Sequence, residues 1–199
     1  MLLGEGRVGK TSLLLRYMNN TFSDAQTPTV QATYLSKKVP CDDGALVDIN
    51  VWDTAGQERF HALGPIYYRD ADAAVLVYDI TDQDSFARVK SWVKELKQIN
   101  GDENIALAVC ANKSDLERSR RVSNEEGETY AKSIGAEFFS TSAKANKCVE
   151  AVFVSVAKRL EKKHRGSGGA AGASGGAKSG RTSLKIADED AKPKGGECC

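Results

Sequence analysis

The residues from Gly4 to Thr11 read GEGRVGKT and match the phosphate-loop pattern GxxxxGK[ST]. The glycines let consecutive backbone N–H groups curve around an anion at the start of the next helix, where the helix dipole also favours negative charge. Lys10 can then reach the β- and γ-phosphates, and the Thr11 hydroxyl can bind Mg²⁺. The pattern therefore predicts a site for a nucleoside triphosphate. Its expected contacts come from Gly4, Gly6, Arg7, Val8, Gly9, Lys10, Thr11 and Ser12.

A second chemical signal lies at Trp52 to Glu58, WDTAGQE, where an aspartate ends an apolar run and a glycine follows three positions later. An acidic residue before a glycine is common in turns, so this pattern gains its meaning from the phosphate loop upstream. We expect Asp53 to hold Mg²⁺ through water and the Gly56 N–H to meet a γ-phosphate oxygen. Gln57 is then placed to orient an attacking water, and the alternative is a solvated loop glutamine.

The third signal is a pair of short motifs, NKSD after an apolar run and SAK further along, which predicts the identity of the base. The Asp115 carboxylate can accept two hydrogen bonds from the ring N–H and exocyclic amine of guanine, whereas adenine would place an acceptor against it. Such a mismatch can cost a factor of ~10⁴–10⁵ in selectivity. The Ala143 N–H can complement the guanine carbonyl, Lys113 can lie over the ring, and Asn112 can tie this loop to the phosphate loop. The predicted base-site residues are Asn112, Lys113, Asp115, Ser142, Ala143 and Lys144.

Short apolar runs alternate with helical patterns through most of the chain. Ala73 to Ile80 and Ile105 to Ala111 are continuous apolar runs, typical of strands buried on both faces. This alternation predicts an α/β fold of the P-loop NTPase type, a three-layer arrangement with a mostly parallel sheet and helices on both faces. Residues 34–41 and 45–52 flank the turn sequence DDG, which predicts an antiparallel hairpin at the sheet edge. The helical stripes are Phe86, Val89, Val93, Leu96 and Ile99, and then Val149, Phe153, Val156 and Leu160.

Composition narrows the class of protein. A formal net charge of +1 gives no electrostatic reason to expect nucleic acid as a partner. No apolar run approaches the roughly 20 residues of a membrane-spanning helix, and the opening Met-Leu-Leu is too short for a signal peptide. Cys41, Cys110 and Cys148 lack metal or redox spacing, which indicates a reducing compartment. Composition then divides the chain into a globular domain over residues 1–163 and a disordered tail over residues 164–199.

Residues 1–163 resemble the Ras superfamily, and within it the Rab family of small GTPases. The resemblance rests on WDTAGQERF from Trp52, YYRDA from Tyr67, LVYDIT from Leu76 and a paired cysteine terminus. The segments NTFSDAQTPTVQATYLSK and AGQERFHALGPIYYRDADAAVLVYDIT are similar to the early-endosomal Rab twenty-one subfamily. The domain is therefore expected to be a small GTPase (G) domain.

The resemblance implies roles that the residues alone do not give. The Thr29 hydroxyl would bind Mg²⁺ while its N–H meets the γ-phosphate, and Phe22 would lie edge-on to guanine. Tyr34, Trp52 and Tyr67 would form an exposed aromatic triad that effectors read, whereas packing within the hairpin is the alternative. The expected catalytic residues are Lys10, Thr29, Gly56 and Gln57, and the expected metal ligands are Thr11, Thr29 and Asp53.

Two features depart from the family's pattern. Most Rabs carry an IGVDF-type sequence in switch I, where this chain has TVQATY from Thr29, which indicates a specialised set of effectors. Only Met1, Leu2 and Leu3 precede the phosphate loop, where the family has a full central strand. We therefore expect that strand to be truncated, through an incomplete gene model or an alternative start.

The implied function is a GTP-binding and GTP-hydrolysing switch that regulates vesicular and endosomal traffic, with GTP or GDP and Mg²⁺ as ligands. No arginine lies between Ser23 and Gln31 to act in cis, so we expect turnover on the order of 10⁻⁴–10⁻³ per second, raised up to ~10⁵-fold by an activating protein. The alternatives are a P-loop metabolic kinase, which would need an arginine-rich lid, and a nucleotide-locked scaffold, against which Gln57 argues. His61 could act as a general base, but a partner-facing or solvated histidine is favoured.

The chain ends in two adjacent cysteines, Cys198 and Cys199, which do not form a C-a-a-X box but resemble the Rab double-geranylgeranyl signal. Two lipid chains give stable anchoring where one is marginal. The expected partners are effectors, an exchange factor, an activating protein, a GDP-dissociation inhibitor, a prenylation escort and the membrane. The expected location is the cytoplasmic face of the early endosome, with a cytosolic pool, and the alternative for the cysteines is two idle thiols.

Overall fold

The structure, a computed structural model, describes residues 1–30, 32–41, 44, 46–54, 69, 71–101 and 105–167. The strands are β1 (Leu2–Leu3), β2 (Thr33–Pro40), β3 (Leu46–Asp53), β4 (Ala73–Asp79), β5 (Ala106–Asn112) and β6 (Glu137–Ser140). The helices are α1 (Lys10–Asn19), α2 (Gln83–Asn100), a 3-10 helix (Ser114–Ser119), α3 (Asn124–Ser133) and α4 (Val149–Ser167). Within the described residues, these strands form one six-stranded sheet in the order β2-β3-β1-β4-β5-β6.

The two central strands β4 and β5 are buried along their whole length, because both sequences are nearly continuous apolar runs. They pair in parallel, with Val75 beside Ala108 and Asp79 beside Asn112. The two predicted strands are thus confirmed. The polar residue that ends each strand reaches the carboxyl edge of the sheet, where it is available to a site.

Helices cover both faces of the sheet, as the alternation of patterns predicts. On one face, Leu13 of α1 and Phe153 of α4 pack against alternate residues of β4 and β5. On the other face, Phe86 of α2 and Ala131 of α3 pack against the intervening residues. Ile99 shares the spacing of the α2 stripe but is exposed, since it lies in the last turn before the helix ends.

The edge hairpin is also confirmed. β2 and β3 are antiparallel, with Thr33 opposite Asp53 and Pro40 opposite Leu46. Alternate residues of β3 are buried, and the inward set ends with Asp53. Two of the three predicted turn residues, Asp42 and Asp43, lie outside the described residues. The hairpin therefore delivers Asp53 to the same edge of the sheet at which β4 and β5 end.

The short strand β1 lies between β3 and β4 and pairs in parallel with both. Leu2 and Leu3 are buried on opposite faces, one in each apolar cluster. The Thr54 hydroxyl donates to the Leu2 carbonyl at 2.7 Å, and the Met1 amino group donates to the Ala73 carbonyl at 3.0 Å. These contacts fix the point from which the phosphate loop leaves the sheet.

Helix α4 continues to Ser167, beyond residue 163 where the composition of the sequence begins to change. An ion pair at 2.8 Å between Glu161 and Arg165, one helical turn apart, supports this last part. Within the described ranges, no helix combines the length and apolar character needed to cross a membrane. The described cysteines, Cys41, Cys110 and Cys148, are free thiols.

Candidate nucleotide-binding site

A cavity of about 780 Å³ opens at the carboxyl edge of the sheet. After β1 the chain continues to strands on the β3 side of the sheet, whereas after β4 it continues to strands on the β5 side. Ligands of open α/β sheets bind at the point where the direction of the connections reverses. The predicted site residues that line the cavity are Gly6, Arg7, Gly9, Lys10, Thr11, Ser12, Phe22, Thr29, Asn112, Lys113, Asp115, Ala143 and Lys144. The structure therefore brings the phosphate loop and both base motifs together.

The phosphate loop holds the Lys10 side chain across its own backbone. The ammonium donates to the Gly4 carbonyl at 2.7 Å and to the Glu5 carbonyl at 3.1 Å. Lys10 is only 5% exposed, and this burial lowers its pKa to about 8, although Asp53 and Glu5 act to raise it. The cation is thus already placed at the loop, in a poorly solvated position where an anionic ligand interacts strongly with it.

Two positions of the loop require glycine for reasons of space and conformation. A Cβ on Gly4 would lie 2.2 Å from the Val77 carbonyl oxygen of β4. Gly9 has a φ of 97° and immediately precedes α1, and a Cβ there would lie 2.5 Å from Nδ2 of Asn112. The loop can therefore pass close to β4 and to the first base motif only with glycine at both places.

Three predicted metal ligands meet beside the loop. The Thr11 hydroxyl lies 2.6 Å from Oδ2 of Asp53 and 2.6 Å from the Thr29 hydroxyl. Asp53 is fully buried, and burial raises its pKa, while the Thr11 hydrogen bond and Lys10 act to lower it. Its second oxygen, Oδ1, has no hydrogen-bond partner among the described residues.

This donor set fits Mg²⁺, a hard cation that prefers carboxylate and hydroxyl oxygens. A buried carboxylate oxygen without a partner is costly, and a bound cation would remove that cost. The hydroxyl of Thr29 adds a contact from outside the phosphate loop. A metal held here would therefore connect residues that precede the hairpin to the start of α1.

Asn112, which is 1% exposed, connects the base motifs to the phosphate loop. Its Nδ2 donates to the Val8 carbonyl at 2.8 Å, across a large distance in sequence. Its Oδ1 accepts from the Thr141 hydroxyl at 3.3 Å and from the Ala143 N–H at 3.4 Å. The structure thus places one amide side chain at the junction of all three loops.

The other residues of the NKSD motif take two different arrangements. Asp115 accepts a short hydrogen bond at Oδ1 from the Ser142 hydroxyl, which also accepts from the Ala145 N–H at 2.9 Å. Lys113 has a positive φ of 64°, and its ammonium lies 2.6 Å from the Asp79 carboxylate. This ion pair anchors the far end of the lysine, so its alkyl chain extends along the cavity wall.

Sequence reasoning missed Asp24, which lines the cavity, and Arg16, which contacts the backbone of the SAK loop. The Lys144 ammonium lies 2.9 and 3.2 Å from the carboxylate oxygens of Asp24. Arg16 donates to the Ala143 carbonyl at 2.8 Å, and its guanidinium carbon lies 5.8 Å from the centroid of the Phe22 ring. Neither residue belongs to a recognisable motif, and both partners lie more than one hundred residues away, so no local pattern signals them.

Part of the predicted aromatic triad is visible on the hairpin. The rings of Tyr34 and Trp52 lie edge to face with centroids 5.1 Å apart, and the Tyr34 hydroxyl donates to Asn50 at 2.6 Å. They are 49% and 41% exposed, so both pack on each other and remain open to a partner. Some predicted residues lie outside the described residues, namely Gly56, Gln57, His61, Tyr67, Cys198 and Cys199.

Comparison with known proteins places the chain in a family. Residues 1–162 match the Ras family model. The chain is 50% identical over 205 residues to Ras-related protein Rab-21 of Homo sapiens, an alignment that covers all of this chain and 89% of that protein. It is 49% identical over 160 residues to Ras-related protein Rab-21 of Dictyostelium discoideum, covering 80% of this chain and 74% of that protein.

The chain belongs to the Ras family of small GTPases, in agreement with the three-loop site at the carboxyl edge of its sheet. Within that family it is a Rab protein of the Rab-21 subfamily, a GTP-hydrolysing enzyme that regulates membrane traffic. The predicted P-loop fold, family and enzyme class are thereby confirmed. The alternative of a metabolic kinase is excluded by the same match.

Proposed function

We propose that the cavity binds GTP or GDP together with Mg²⁺, and that hydrolysis changes the surface that traffic partners read. The observation that supports this most is the meeting of three separate sequence signals around one cavity. A nucleotide with its metal needs an anion cradle, oxygen ligands and a hydrogen-bonding edge for the base. The phosphate loop and the loops after β5 and β6 line the cavity and offer the cradle and the base edge. Asp53, which is buried next to the Thr11 hydroxyl, offers the oxygen ligand.

Guanine would be read by Asp115, whose carboxylate lines the cavity and is oriented by the Ser142 hydroxyl. A carboxylate accepts two hydrogen bonds from the ring N–H and the exocyclic amine, which adenine cannot supply. The Ala143 N–H would meet the guanine carbonyl, and the long 3.4 Å contact to Asn112 leaves it weakly held for that purpose. The Lys113 chain and Phe22 would cover the ring.

The phosphates would lie against Lys10 and the loop N–H groups, with Mg²⁺ held by Thr11, Thr29 and Asp53. When bound, the metal neutralises charge on the β- and γ-phosphates. Lys10 adds a fixed cation in a buried position, which strengthens its attraction for phosphate. For Gly56 and Gln57 the proposal rests on the sequence: an N–H to the γ-phosphate and an amide that orients water.

Thr29 supplies the connection from the nucleotide to the outer surface. Its hydroxyl contacts Thr11 at 2.6 Å, and the hairpin that carries Tyr34 and Trp52 begins a few residues later, at Thr33. Loss of the γ-phosphate would remove one reason for Thr29 to stay near the loop, as in other GTPase switches. The aromatic pair would then be presented differently to effectors in the two nucleotide forms.

Replacing Thr11 with Ala is expected to make release of GDP insensitive to Mg²⁺, because the hydroxyl at the centre of the ligand set is lost. In the parent protein, a chelator should accelerate release of labelled GDP strongly. In the variant, release should be about 10–100-fold faster in Mg²⁺, the range typical of a weakened metal site, and the chelator should add little. The measurement is a displacement time course with and without chelator.

The matched control is Ser12→Ala, which removes the neighbouring hydroxyl but keeps the backbone N–H. We expect this control to retain the parental response to chelator. A parental response in Thr11→Ala would contradict the assignment of the metal site.

We also propose a division of labour along the chain: a GTPase domain over residues 1–163 and a hypervariable tail over residues 164–199. The tail would carry geranylgeranyl groups on Cys198 and Cys199 and hold the domain at the cytoplasmic face of early endosomes. Its partners would include a prenylation escort and a GDP-dissociation inhibitor that maintains a cytosolic pool. The support is the paired cysteine terminus, which resembles the Rab lipidation signal.

Replacing both Cys198 and Cys199 with Ser is expected to move the protein from membranes to the cytosol without changing nucleotide affinity. Two lipid chains are needed for stable anchoring, and the domain does not depend on them for its site. Fractionation of cells and a GDP binding isotherm measure the two effects separately. Continued pelleting of the double variant with membranes would show that another feature anchors the protein.

A further inference from the structure

Arg16 stands in the last turn of α1, the helix that begins immediately after the phosphate loop. All three nitrogens of its guanidinium donate to main-chain carbonyls. Nε donates to Ala143 at 2.8 Å and Nη2 donates to Lys144 at 3.3 Å. Nη1 donates to the carbonyl of Asn20 at 2.9 Å and to its side-chain oxygen at 3.2 Å.

Only the two Nη1 contacts, both with Asn20, are explained by the helix itself. A cation near the C-terminus of a helix stabilises its last carbonyls, and the Nη1 bond to Asn20 does this. The Nε and Nη2 bonds cross instead to the SAK loop, which is 127 and 128 positions away in sequence. The planar fork of an arginine suits two adjacent carbonyls, whereas a lysine offers a single donor atom.

The other polar contacts of the SAK loop with main elements, from the Ser142 hydroxyl to Asp115 and from the Ala143 N–H to Asn112, join it to the NKSD motif and not to α1. A pair of backbone bonds between Ser142 and Lys147, at 3.1 and 2.9 Å, closes the loop on itself. The Lys144 ammonium reaches Asp24 on the opposite wall, but both side chains are more than half exposed, and such surface pairs contribute little. The half-buried Arg16 fork is therefore the main polar link from this loop to the helix that carries Lys10 and Thr11.

The Arg16 guanidinium also lies close to Phe22, the residue proposed to cover the ring of the base. Its carbon lies 5.8 Å from the centroid of Phe22, and Nη1 holds the Asn20 carbonyl two residues before that ring. One side chain thus fixes the position of the SAK backbone and of the turn that leads to Phe22. Ala143, Lys144 and Phe22 line the cavity.

We propose that Arg16 is a positioning residue for the bound nucleotide: it holds the SAK loop at a fixed distance from the phosphate loop and thereby sets the nucleotide's residence time. The inference rests on the proposed guanine site. Arg16 does not line the cavity and acts through the loop backbone. The phosphate loop binds one end of the nucleotide and the SAK loop binds the other. The nucleotide dissociates slowly only while the distance between these two loops is kept, so we expect Arg16 to control the dissociation rate.

The test measures dissociation of fluorescently labelled GDP and GTP from the full chain in Mg²⁺, chased with excess unlabelled GDP. Arg16→Ala should release both nucleotides at least about tenfold faster, because two hydrogen bonds from a charged donor are lost. Association should change by less than about threefold, since mutations at a binding site act mainly on dissociation. Arg16→Lys, with one donor atom and the charge retained, should give an intermediate rate.

Arg159→Ala is the matched control. Arg159 also spans two carbonyls, of Leu107 at 2.9 Å and Gly135 at 3.0 Å, but it does so on α4, away from the cavity. We expect this variant to lower thermal stability while keeping the parental release rates. Equal acceleration in Arg159→Ala and Arg16→Ala would overturn the proposal, because the effect would then be general destabilisation.

Parental release rates in Arg16→Ala would also overturn it. If Arg16→Ala does not fold, Arg16→Lys alone decides between acceleration, which supports the proposal, and a parental rate, which overturns it. A failed Asp115→Asn selectivity test would instead overturn the guanine site itself. If Arg16→Ala releases nucleotide faster and Asp115→Asn changes the preference from GTP to XTP, the results support both the Arg16 proposal and the guanine site.

Discussion

Asp115→Asn is expected to reverse the base preference of the protein from GTP to XTP. Guanine presents two donors, the ring N–H and the exocyclic amine, but the asparagine side chain has only one acceptor oxygen. One of the two guanine donors therefore faces the NH₂ group of the asparagine, which is itself a donor. Xanthine carries a carbonyl in place of the exocyclic amine and can accept from that same amide. Because a buried polar mismatch is costly, the ratio of the two affinities should change on the order of 10⁴-fold.

The substitution should leave the loop itself in place. The Ser142 hydroxyl donates to Oδ1 of Asp115, and the oxygen of an asparagine can accept the same bond. Competition between labelled GTP and unlabelled XTP measures the preference directly. Glu117→Gln makes the same chemical change two residues later on the 3-10 helix, outside the cavity lining, and should keep the parental preference. Unchanged GTP selectivity in Asp115→Asn would remove it from the base site.

The layers of the fold could be predicted because burial imposes a period on the sequence. β4 and β5 have apolar residues at nearly every position, since both of their faces are covered, whereas the outward positions of β3 include the polar residues Asp48 and Asn50. The stripe from Phe86 to Leu96 faces the sheet for the same reason, and it fails at Ile99, where the helix ends. The spacing of apolar residues therefore indicates which face of a helix or strand is buried, but it does not predict burial at the ends of these elements.

The parts of the site that belong to motifs could be located because parallel strands end at one edge. Asp53 ends β3 and Asn112 ends β5, so the strand pattern alone places both at the same edge of the sheet. Asn112 lines the cavity, and Asp53 contacts the lining residue Thr11. The spacing within each motif then fixes which atoms can face a phosphate or a base. The predicted link from Asn112 to the phosphate loop is present as its bond to the Val8 carbonyl.

The contacts between loops could not be predicted from the sequence. Lys113, whose φ is positive, forms an ion pair with Asp79 on β4, and the ion pair of Lys144 with Asp24 joins segments 120 residues apart. Arg16 looks in the sequence like any helix-terminal arginine. Such contacts depend on how the whole fold places the loops, and no local residue pattern predicts that placement.

Gln57→Leu is expected to abolish most of the acceleration that an activating protein gives, while GTP affinity stays within a few-fold of the parent. The glutamine is proposed to orient the attacking water, and leucine can neither donate nor accept a hydrogen bond. The phosphates would remain held by Lys10 and the loop, and Mg²⁺ by its own ligands, so binding should survive. Because the activated reaction exceeds the intrinsic one by up to ~10⁵-fold, the loss can span several orders of magnitude.

Single-turnover phosphate release, with and without a Rab GTPase-activating preparation, separates the chemical step from binding. Gln98→Leu provides the same change of side chain on the exposed face of α2, remote from the cavity lining, and should hydrolyse GTP at the parental rate. Equal stimulated rates for Gln57→Leu and the parent would show that another group positions the water. In that case His61, also near the switch in sequence, becomes the residue to replace next, because its imidazole can accept a proton from water.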